Sequence, residues 1–519
     1  IYNKYELMLG STMRFFNYNK LGKTAFAVFL GVFILTGCSV NNDPLTRAQV
    51  IAANQLHLLE IMDRIEPFGE ILSLQEAIAR GLKYNLDHRL ALLEVSVAAG
   101  KVDSGRFDML PEMMTTAGYD GRNNYGNRYS APADNPNNLS TDVPSISTEL
   151  GSNSVELKLS WDLVDFGIGY FNSIQSSDRL VIAEQQRRRT IHNLIQEIRS
   201  SYWSAFAAQK TRLIIEETIK NASIALEQSR SLRAEQESNP REALNYQRNL
   251  LENLRLLEAT SRKLNTASID LSKLIGVLPG AANYKLQEPA GSLDIIEYDI
   301  EELEQIALTQ NTDLLESIFD IRIAVVETKK AIANLLPGIS LNYGMNYSDD
   351  QFLVNNRWVS AGTSITYNLM QVLQARSGIK NSRLDFAVSV ERKLAVQMAV
   401  LAKLHISRLQ YEDAKRQYNL TEELYLVDKD LQELTAGSAE SEVASQQELI
   451  ASTVTSILSE VRLYESMGEA QLALGQLYST LGLEPNVPSL DKISLSELSE
   501  KVFEWLNASL SVRSENVVD

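Results

Sequence analysis

Cysteine is nearly missing from this chain. Cys38 is the only one in 519 residues, which excludes an intrachain disulfide even in an oxidising compartment. The four histidines, His57, His88, His192 and His405, are scattered without metal-ligand spacing, so surface or core roles are expected of them and no metal site. Basic charge is in deficit. Forty-nine Lys and Arg stand against 66 Asp and Glu, for a net charge of −17, a poor match to nucleic acid, which wants basic stripes. Beyond residue 37 no apolar run reaches about 18 residues, so no membrane helix is expected and any membrane span must be β. There is no nucleophile–base pair, phosphate loop or metal cluster. No cofactor is expected, and an enzyme is the least favoured class.

Glycine and proline are absent from two long stretches, Tyr170–Asn239 and Ile379–Ala436. Each reads as one helix. At about 1.5 Å per residue the first would be about 100 Å long, against a usual globular helix of about 11–12 residues. Just before it, Val155, Leu157, Leu159, Trp161 and Leu163 alternate with Glu156, Lys158, Ser160 and Asp162. That period of two marks a strand with one apolar and one wet face. A strand of membrane-spanning length therefore runs straight into a very long helix.

The first 37 residues stand apart. Arg14, Lys20 and Lys23 precede the apolar run Ala25–Leu35, which is too short to span a membrane and suits a secretory signal. The signal reads well from Met13. The run ends in Leu35-Thr36-Gly37-Cys38, which resembles the bacterial lipoprotein cleavage box and makes Cys38 the expected lipid anchor. The rival reading is a free buried thiol. Acyl chains contribute about 0.8 kcal/mol per buried CH₂, so several would hold the N-terminus firmly at a lipid surface.

Residues 38–72 then read as a lipidated tether with a short helix. A first repeat follows over 73–280. It opens on a capping box, Ser73 with Glu76, a reciprocal pairing that starts helices. The helix runs to Leu110-Pro111, with an interruption at Asn85-Leu86-Asp87. A weak strand over 112–120, a long polar loop to 152, the strand already described, the long helix and a return helix of about 241–275 complete the repeat. Residues 281–300 are a connector. The second repeat, 301–485, restarts with a helix of about 301–334 ending at Leu336-Pro337. Two clean alternating strands, 339–348 and 358–369, the second long helix and a return helix follow. Ile450, Val454, Ile457, Val461 and Tyr464 on that return helix are spaced 4-3-4-3, a coiled-coil seam. Residues 486–519 form a tail with one short amphipathic piece. The landmarks register. Trp161-Asp162-Leu163 matches Tyr367-Asn368-Leu369, and Gly276 with Pro279 matches Gly482 with Pro485, all at an offset of 206. Such self-similarity is sought before any fold is assigned.

Four strands alone cannot close, and an open edge in lipid leaves backbone groups unpaired. Periodicity thus predicts that several copies complete one barrel and pack their long helices into a cylinder on the same axis.

This double plan, with Leu72-Ser73-Leu74-Gln75-Glu76-Ala77-Ile78, the paired Leu-Pro strand entries and Ser160-Trp161-Asp162-Leu163-Val164-Asp165-Phe166-Gly167, resembles the TolC-like outer-membrane efflux channel family. The lipid box resembles that family's lipoprotein branch. The resemblance implies an α+β membrane protein: a homotrimer with a twelve-stranded β-barrel, four strands per protomer, on a long α-helical coiled-coil barrel with an internal two-fold repeat. It implies an outer-membrane location, a periplasmic adaptor, an inner-membrane pump and no catalysis by the channel itself.

It also implies that the helix tips, about 234–244 and 435–449, close the tunnel at rest, with Glu440 and Glu442 as candidates for an acidic ring there. A carboxylate common a few residues further on is replaced by Ser445. The plainer reading of Glu440 and Glu442 is that of acids favoured at a helix N-terminus by the dipole. Trp161, Trp358 and Tyr367 are candidate membrane-interface aromatics, or plain strand packing. Arg187-Arg188-Arg189 is expected to be a solvated helix face. The rival function is a lipid-anchored periplasmic helical scaffold that conducts nothing.

Overall fold

The computed structural model describes residues 44–129, 137, 144–235, 240–278, 284–288, 293, 299–440, 446–485 and 493–507. Two compact units divide the chain at residue 63. The first contributes helix α1 (Arg47–Arg64), of which no residue is buried. Everything below concerns the second unit.

Its elements come in two matching series. The first is β1 (Ile71–Leu72), α2 (Leu74–Tyr84), α3 (Leu86–Gly105), β2 (Glu112–Gly121), β3 (Gly126–Arg128), β4 (Ser145–Thr148), β5 (Gly151–Asp162), α4 (Leu163–Glu235) and α5 (Pro240–Leu274). The short β6 (Lys285–Leu286) pairs in parallel with β1. The second series is α6 (Ile300–Gln310), α7 (Thr312–Ala333), β7 (Gly338–Ser348), β8 (Arg357–Thr366), α8 (Leu369–Glu440) and α9 (Gln446–Leu481), closed by α10 (Leu495–Asn507). The predicted 4-3-4-3 seam of α9 is buried throughout. Leu250, Leu257, Leu264 and Leu271 on α5 are buried at strict seven-residue spacing, the period of a supercoiled pair. Among the described residues no helix is long and apolar enough to cross a membrane.

Three expectations need correction. The helix predicted over 301–334 is two helices, because Asn311 caps the second: its Oδ1 accepts from the backbone N–H of Asp313 and Leu314. The loop predicted over 120–152 carries a two-stranded ribbon, β3 with β4. The second strand of that repeat, read from residue 153, already starts at Gly151 and pairs through ten residues with β2.

Asn85 and Asn311 do the same work in the two repeats. Each caps the helix that follows it. Each also donates its side-chain amide to the end of a return helix, Asn85 to Leu274 O at 3.1 Å and Asn311 to Thr480 O at 2.9 Å. Those return helices end alike. Val277 N–H bonds Ser272 O and Leu483 N–H bonds Tyr478 O, with Gly276 and Gly482 left-handed at φ 76° and 74°. This is the Schellman stop, which wants glycine because a Cβ is disfavoured there. A Cβ on Gly276 would lie 2.6 Å from Tyr84 O, and one on Gly482 would lie 2.2 Å from Gln310 O. Each repeat is thus bracketed at its base by an asparagine and a glycine.

Candidate functional site

Strands β2, β5, β7 and β8 form one antiparallel sheet in that order. Its register sorts the side chains cleanly. One face carries the rows Met113–Leu159–Tyr343–Ala361 and Thr115–Leu157–Met345–Val359. The large apolar side chains of these rows are all exposed. The other face carries Glu112–Ser160–Asn342–Gly362 and Met114–Lys158–Gly344–Ser360. There the Ser160 hydroxyl donates to Asn342 Oδ1 at 3.0 Å, and the Asn346 amide donates to Ser360 Oγ at 3.0 Å. A sheet with a wet face inside the ladder and an uncovered apolar face outside matches the alternation of a membrane barrel wall. β7 has eleven residues, about 37 Å along the strand at ~3.4 Å each. A tilt of 35–45° brings its height near the ~25 Å apolar band of outer-membrane barrels.

The sheet has two free edges, β2 and β8, and every residue of both strands is exposed. At its lower end it passes straight into the long helices. Asp162 Oδ1 accepts from the N–H of Val164 at 2.8 Å and of Asp165 at 3.2 Å, while Oδ2 accepts from Ser340 Oγ at 2.8 Å. Asn368, its counterpart 206 residues on, accepts from Met370 N–H at 3.1 Å. A carboxylate or amide that caps donors lets strand become helix without a loop. At the upper end Asp349 accepts from Asn153 N–H and from its side-chain amide, both at 2.6 Å. That contact ties the two repeats together.

Below the sheet, α9 packs on both α8 and α4. Trp203, Phe206 and Tyr464 form an aromatic cluster in that interface. Lys210 donates to the Tyr464 hydroxyl and lies 3.9 Å from Glu460. Burial works to lower the Lys210 ammonium, but Tyr464 and the nearby acids outweigh it and hold it up. Burial likewise raises the Glu460 carboxyl despite Lys210 and Lys429. Deeper still, Arg199 is buried with its Nε 3.1 Å from Gln471 Oε1, and burial pushes its guanidinium down to about 10.

The candidate residues are placed as follows. Trp161 belongs to the apolar face at the helix end of β5, opposite Leu341, edge-on to Phe166 at 5.7 Å. Tyr367 follows β8 at the same end and is exposed. Trp358 lies at the other end, opposite Asn346, in register with the polar face. Glu440 is the last residue of α8. Its side chain, Glu442, Ser445 and Cys38 lie outside the described residues.

Arg187-Arg188-Arg189 is not a solvated face. Arg188 reaches Glu484 at 2.5 Å and Gly482 O at 3.0 Å, and Arg189 reaches Asp313 and Glu316 at 2.5 Å. His88 and His192 are buried, and His192 Nε2 lies 2.8 Å from Glu484. His405 is exposed beside Glu304 at 2.9 Å. No group of His, Cys, Asp or Glu among the described residues could hold a metal ion. The interruption expected at Asn85-Leu86-Asp87 is present, with Asn85 as the cap; its counterpart at Asn311 and the bonds of both to the return helices escaped the sequence reading. Setting Asn85-Leu86-Asp87 against Asn311-Thr312-Asp313 at an offset of 226 would have found them.

Residues 78–277 match the model of the family described as outer membrane efflux protein. That match spans 200 of the 519 residues and falls within the first repeat. Solved structures carry the likeness over most of the chain. A membrane protein from Pseudomonas aeruginosa is 18% identical with a TM-score of 0.62, covering 83% of this chain and 94% of that one. The CmeC outer membrane channel of Campylobacter jejuni is 14% identical with a TM-score of 0.61, covering 85% and 90%. The open state of the MtrE outer membrane channel of Neisseria gonorrhoeae is 17% identical with a TM-score of 0.59, covering 79% and 88%. At these identities the likeness is one of fold. No curated protein matches the chain.

Proposed function

We propose that this chain is one subunit of an outer-membrane channel that serves as the passive exit duct of a tripartite efflux or secretion system. The observation that carries the reading is the four-stranded sheet. Its apolar face is uncovered, both its edges are free, and it is continuous with two helical hairpins. Free edges are untenable in lipid, so the sheet calls for further copies. Three copies, the number that the family resemblance implies, would give twelve strands and an even-numbered closed wall of the kind outer-membrane barrels have. The wet face would line the lumen and the apolar face would meet lipid. Trp161 and Tyr367 would then sit at the periplasmic interface. Trp358 would point into the lumen.

The family match and the solved channel folds support this reading. Partners would be a periplasmic adaptor and an inner-membrane pump that supplies the energy, since nothing in the site performs chemistry. Cys38 would carry the lipid anchor, and Glu440 with Glu442 would ring the periplasmic tip, where carboxylates attract cations. Single-channel conductance in planar bilayers tests the reading, with wild type beside a Glu440→Ala/Glu442→Ala double variant. Discrete conductance that grows or loses cation preference in the variant supports both channel and acidic ring. Conductance unaffected by the change keeps the channel and removes the ring. A folded oligomer that never conducts sinks the channel and leaves the scaffold.

A further inference from the structure

The repeat fixes how one copy's sheet edge pairs with the next. The inference rests on the trimeric reading above and goes beyond it to a residue register. Two offsets relate the repeats. The second strand of each repeat, β5 and β8, is related by 206, as in Trp161 to Tyr367. The first strand of each, β2 and β7, is related by 226, as in Glu112 to Gly338, the opening residues of those strands. The pairing inside each repeat checks these offsets independently. Glu112 opposite Ser160 carries to Gly338 opposite Thr366, and Met113 opposite Leu159 carries to Ile339 opposite Ile365. Both are observed pairs. The internal two-fold therefore preserves register without a slip.

The remaining pairing is the one between repeats, β5 with β7. Under the same operation β5 becomes β8, and β7 becomes β2 of the following copy. Leu159 opposite Tyr343 becomes Ile365 opposite Ala117 of the next copy. Lys158 opposite Gly344 becomes Ser364 opposite Gly118, and Glu156 opposite Asn346 becomes Gly362 opposite Asp120. We propose that the free edges β8 and β2 of adjacent copies join antiparallel in this register.

Two features are consistent with this register and exclude any slip by an odd number of residues. First, faces match: Ile365 and Ala117 both belong to the apolar face, and Gly362 and Asp120 to the polar one. A slip by one residue would invert every side chain of one strand relative to the other. Second, backbone groups match. In an antiparallel ladder alternate residues turn both their N–H and C=O to the same neighbour. Arg122 N–H bonds Leu150 O, so even-numbered residues of β2 face β5 and odd-numbered ones face the free edge. Ser348 N–H bonds Asn356 O, so even-numbered residues of β8 face β7 and odd-numbered ones again face the free edge. The proposed register sets odd against odd, so donors meet acceptors.

The test is disulfide trapping, which is clean because Cys38 is the only native cysteine. Four exposed positions suffice. The pairs Gly362→Cys with Asp120→Cys, and Ser364→Cys with Gly118→Cys, are in the proposed register and at non-hydrogen-bonded sites. Cα atoms there are about 4.5 Å apart, within disulfide reach. The recombined pairs Gly362→Cys with Gly118→Cys, and Ser364→Cys with Asp120→Cys, are slipped by two residues to about 7–8 Å. Within one chain β2 and β8 are three strand spacings apart, about 14 Å, so any cross-link joins two copies.

Glu156→Cys with Asn346→Cys, a pair observed inside the chain, verifies that oxidation reaches the inserted sheet. A lysine-reactive cross-linker reports trimers without reference to any cysteine. The expected result is covalent dimers and trimers from the two in-register pairs, at least about tenfold more than from the slipped pairs, and none from single-cysteine variants. If the slipped pairs cross-link better, the register is overturned while the trimer stands. If none of the four cross-links although lysine-linked trimers form and the internal pair oxidises, edge pairing itself is overturned. If no trimers form by the lysine reagent, the assembly reading fails and this inference falls with it.

Discussion

Two rows of side chains on the helical hairpins have the same spacing and opposite fates. On α9, Ile450, Val454, Ile457, Val461 and Tyr464 are all under 8% exposed. On α8, Leu420, Leu424, Val427, Leu431 and Leu434 follow the same 4-3-4-3 rule and are 46–70% exposed. Both rows are knobs in the coiled-coil sense. The difference is where the holes are. The α9 row finds them on α8 and α4 of its own chain. The α8 outer row finds none within the chain. Leu86, Leu90, Leu93 and Val97 on α3 are a second exposed row of this kind. An apolar stripe of that length on a monomer marks an interaction surface. It lies on α8, which follows the edge strand β8, and on α3, which precedes the edge strand β2, the elements that the proposed assembly would bring against a neighbouring copy.

The sharpest way to break this comparison is to charge each row in turn. Ile457→Asp places a carboxylate in a site that is 2% exposed, with lost burial and an unpaired charge together costing about 4 kcal/mol or more. The expected outcome is loss of folded protein from the membrane fraction. Leu424→Asp on the outer row should change the stability of the isolated subunit by no more than about 0.5 kcal/mol. It should instead lower the trimer fraction seen by lysine cross-linking. Should the two variants behave alike in both measurements, the outer row is not an assembly surface.

Next in size are the bracket glycines. Ala at a left-handed position costs about 1–3 kcal/mol in backbone strain, and the new Cβ must also move a backbone carbonyl. Gly482→Ala, with its Cβ 2.2 Å from Gln310 O, should shorten the half-life at elevated temperature more than Gly276→Ala, at 2.6 Å from Tyr84 O. Half-life is the fitting readout where unfolding is irreversible. Asn85→Ala and Asn311→Ala follow. Each loses a cap worth about 1 kcal/mol and leaves a buried return-helix carbonyl without its donor, about 1–3 kcal/mol more. Because the two sites have the same bonds, equal losses are expected, and a large inequality would show that the brackets are not equivalent.

These cases mark what could be read before any coordinates. The strands were legible because their period of two is undisturbed from Val155 to Trp161 and from Ile339 to Tyr347. The long helices were legible because nothing in them stops a helix. Asp162 and Asn368 were legible as matched landmarks, though not as the caps they are, since a cap shows only once the helix start is fixed. Asn311 was missed because one asparagine between two apolar helical patterns does not stop a period of 3.6. Its capping bonds to Asp313 and Leu314 are local, but its amide is held by Thr480 O, 169 residues away in sequence. The face of Trp358 depends on where β8 starts, which single-chain pattern places only to within a residue or so, and one residue reverses a side chain. Arg188 and Arg189 read as part of a solvated run because their partners, Glu484, Asp313 and Glu316, come from the second repeat, whereas Arg187 pairs with Glu184 on its own helix.

The smallest predicted effect separates the two brackets by pH. Glu484 stands beside the second bracket, whereas the first has Leu278 at the matching position 206 residues earlier. Burial alone would raise the Glu484 carboxyl. His192 and Arg188 outweigh it and hold the carboxyl below its ordinary value of 4.5. A carboxyl depressed in the folded state contributes stability that is fully present above its unfolded pKa and is lost as pH falls through the folded one. The clamp should therefore be intact at neutral pH and weaken only below about pH 4.5. Thermal inactivation of wild type beside Glu484→Gln checks the sign: wild type is the longer-lived at pH 7, and the gap closes as pH drops below 4.5. Leu278→Gln, at the matching position of the first bracket, should show a gap that does not depend on pH in this window. A Glu484→Gln gap that widens in acid would mean that the carboxyl is held up rather than down, and that the second bracket is not clamped by charge.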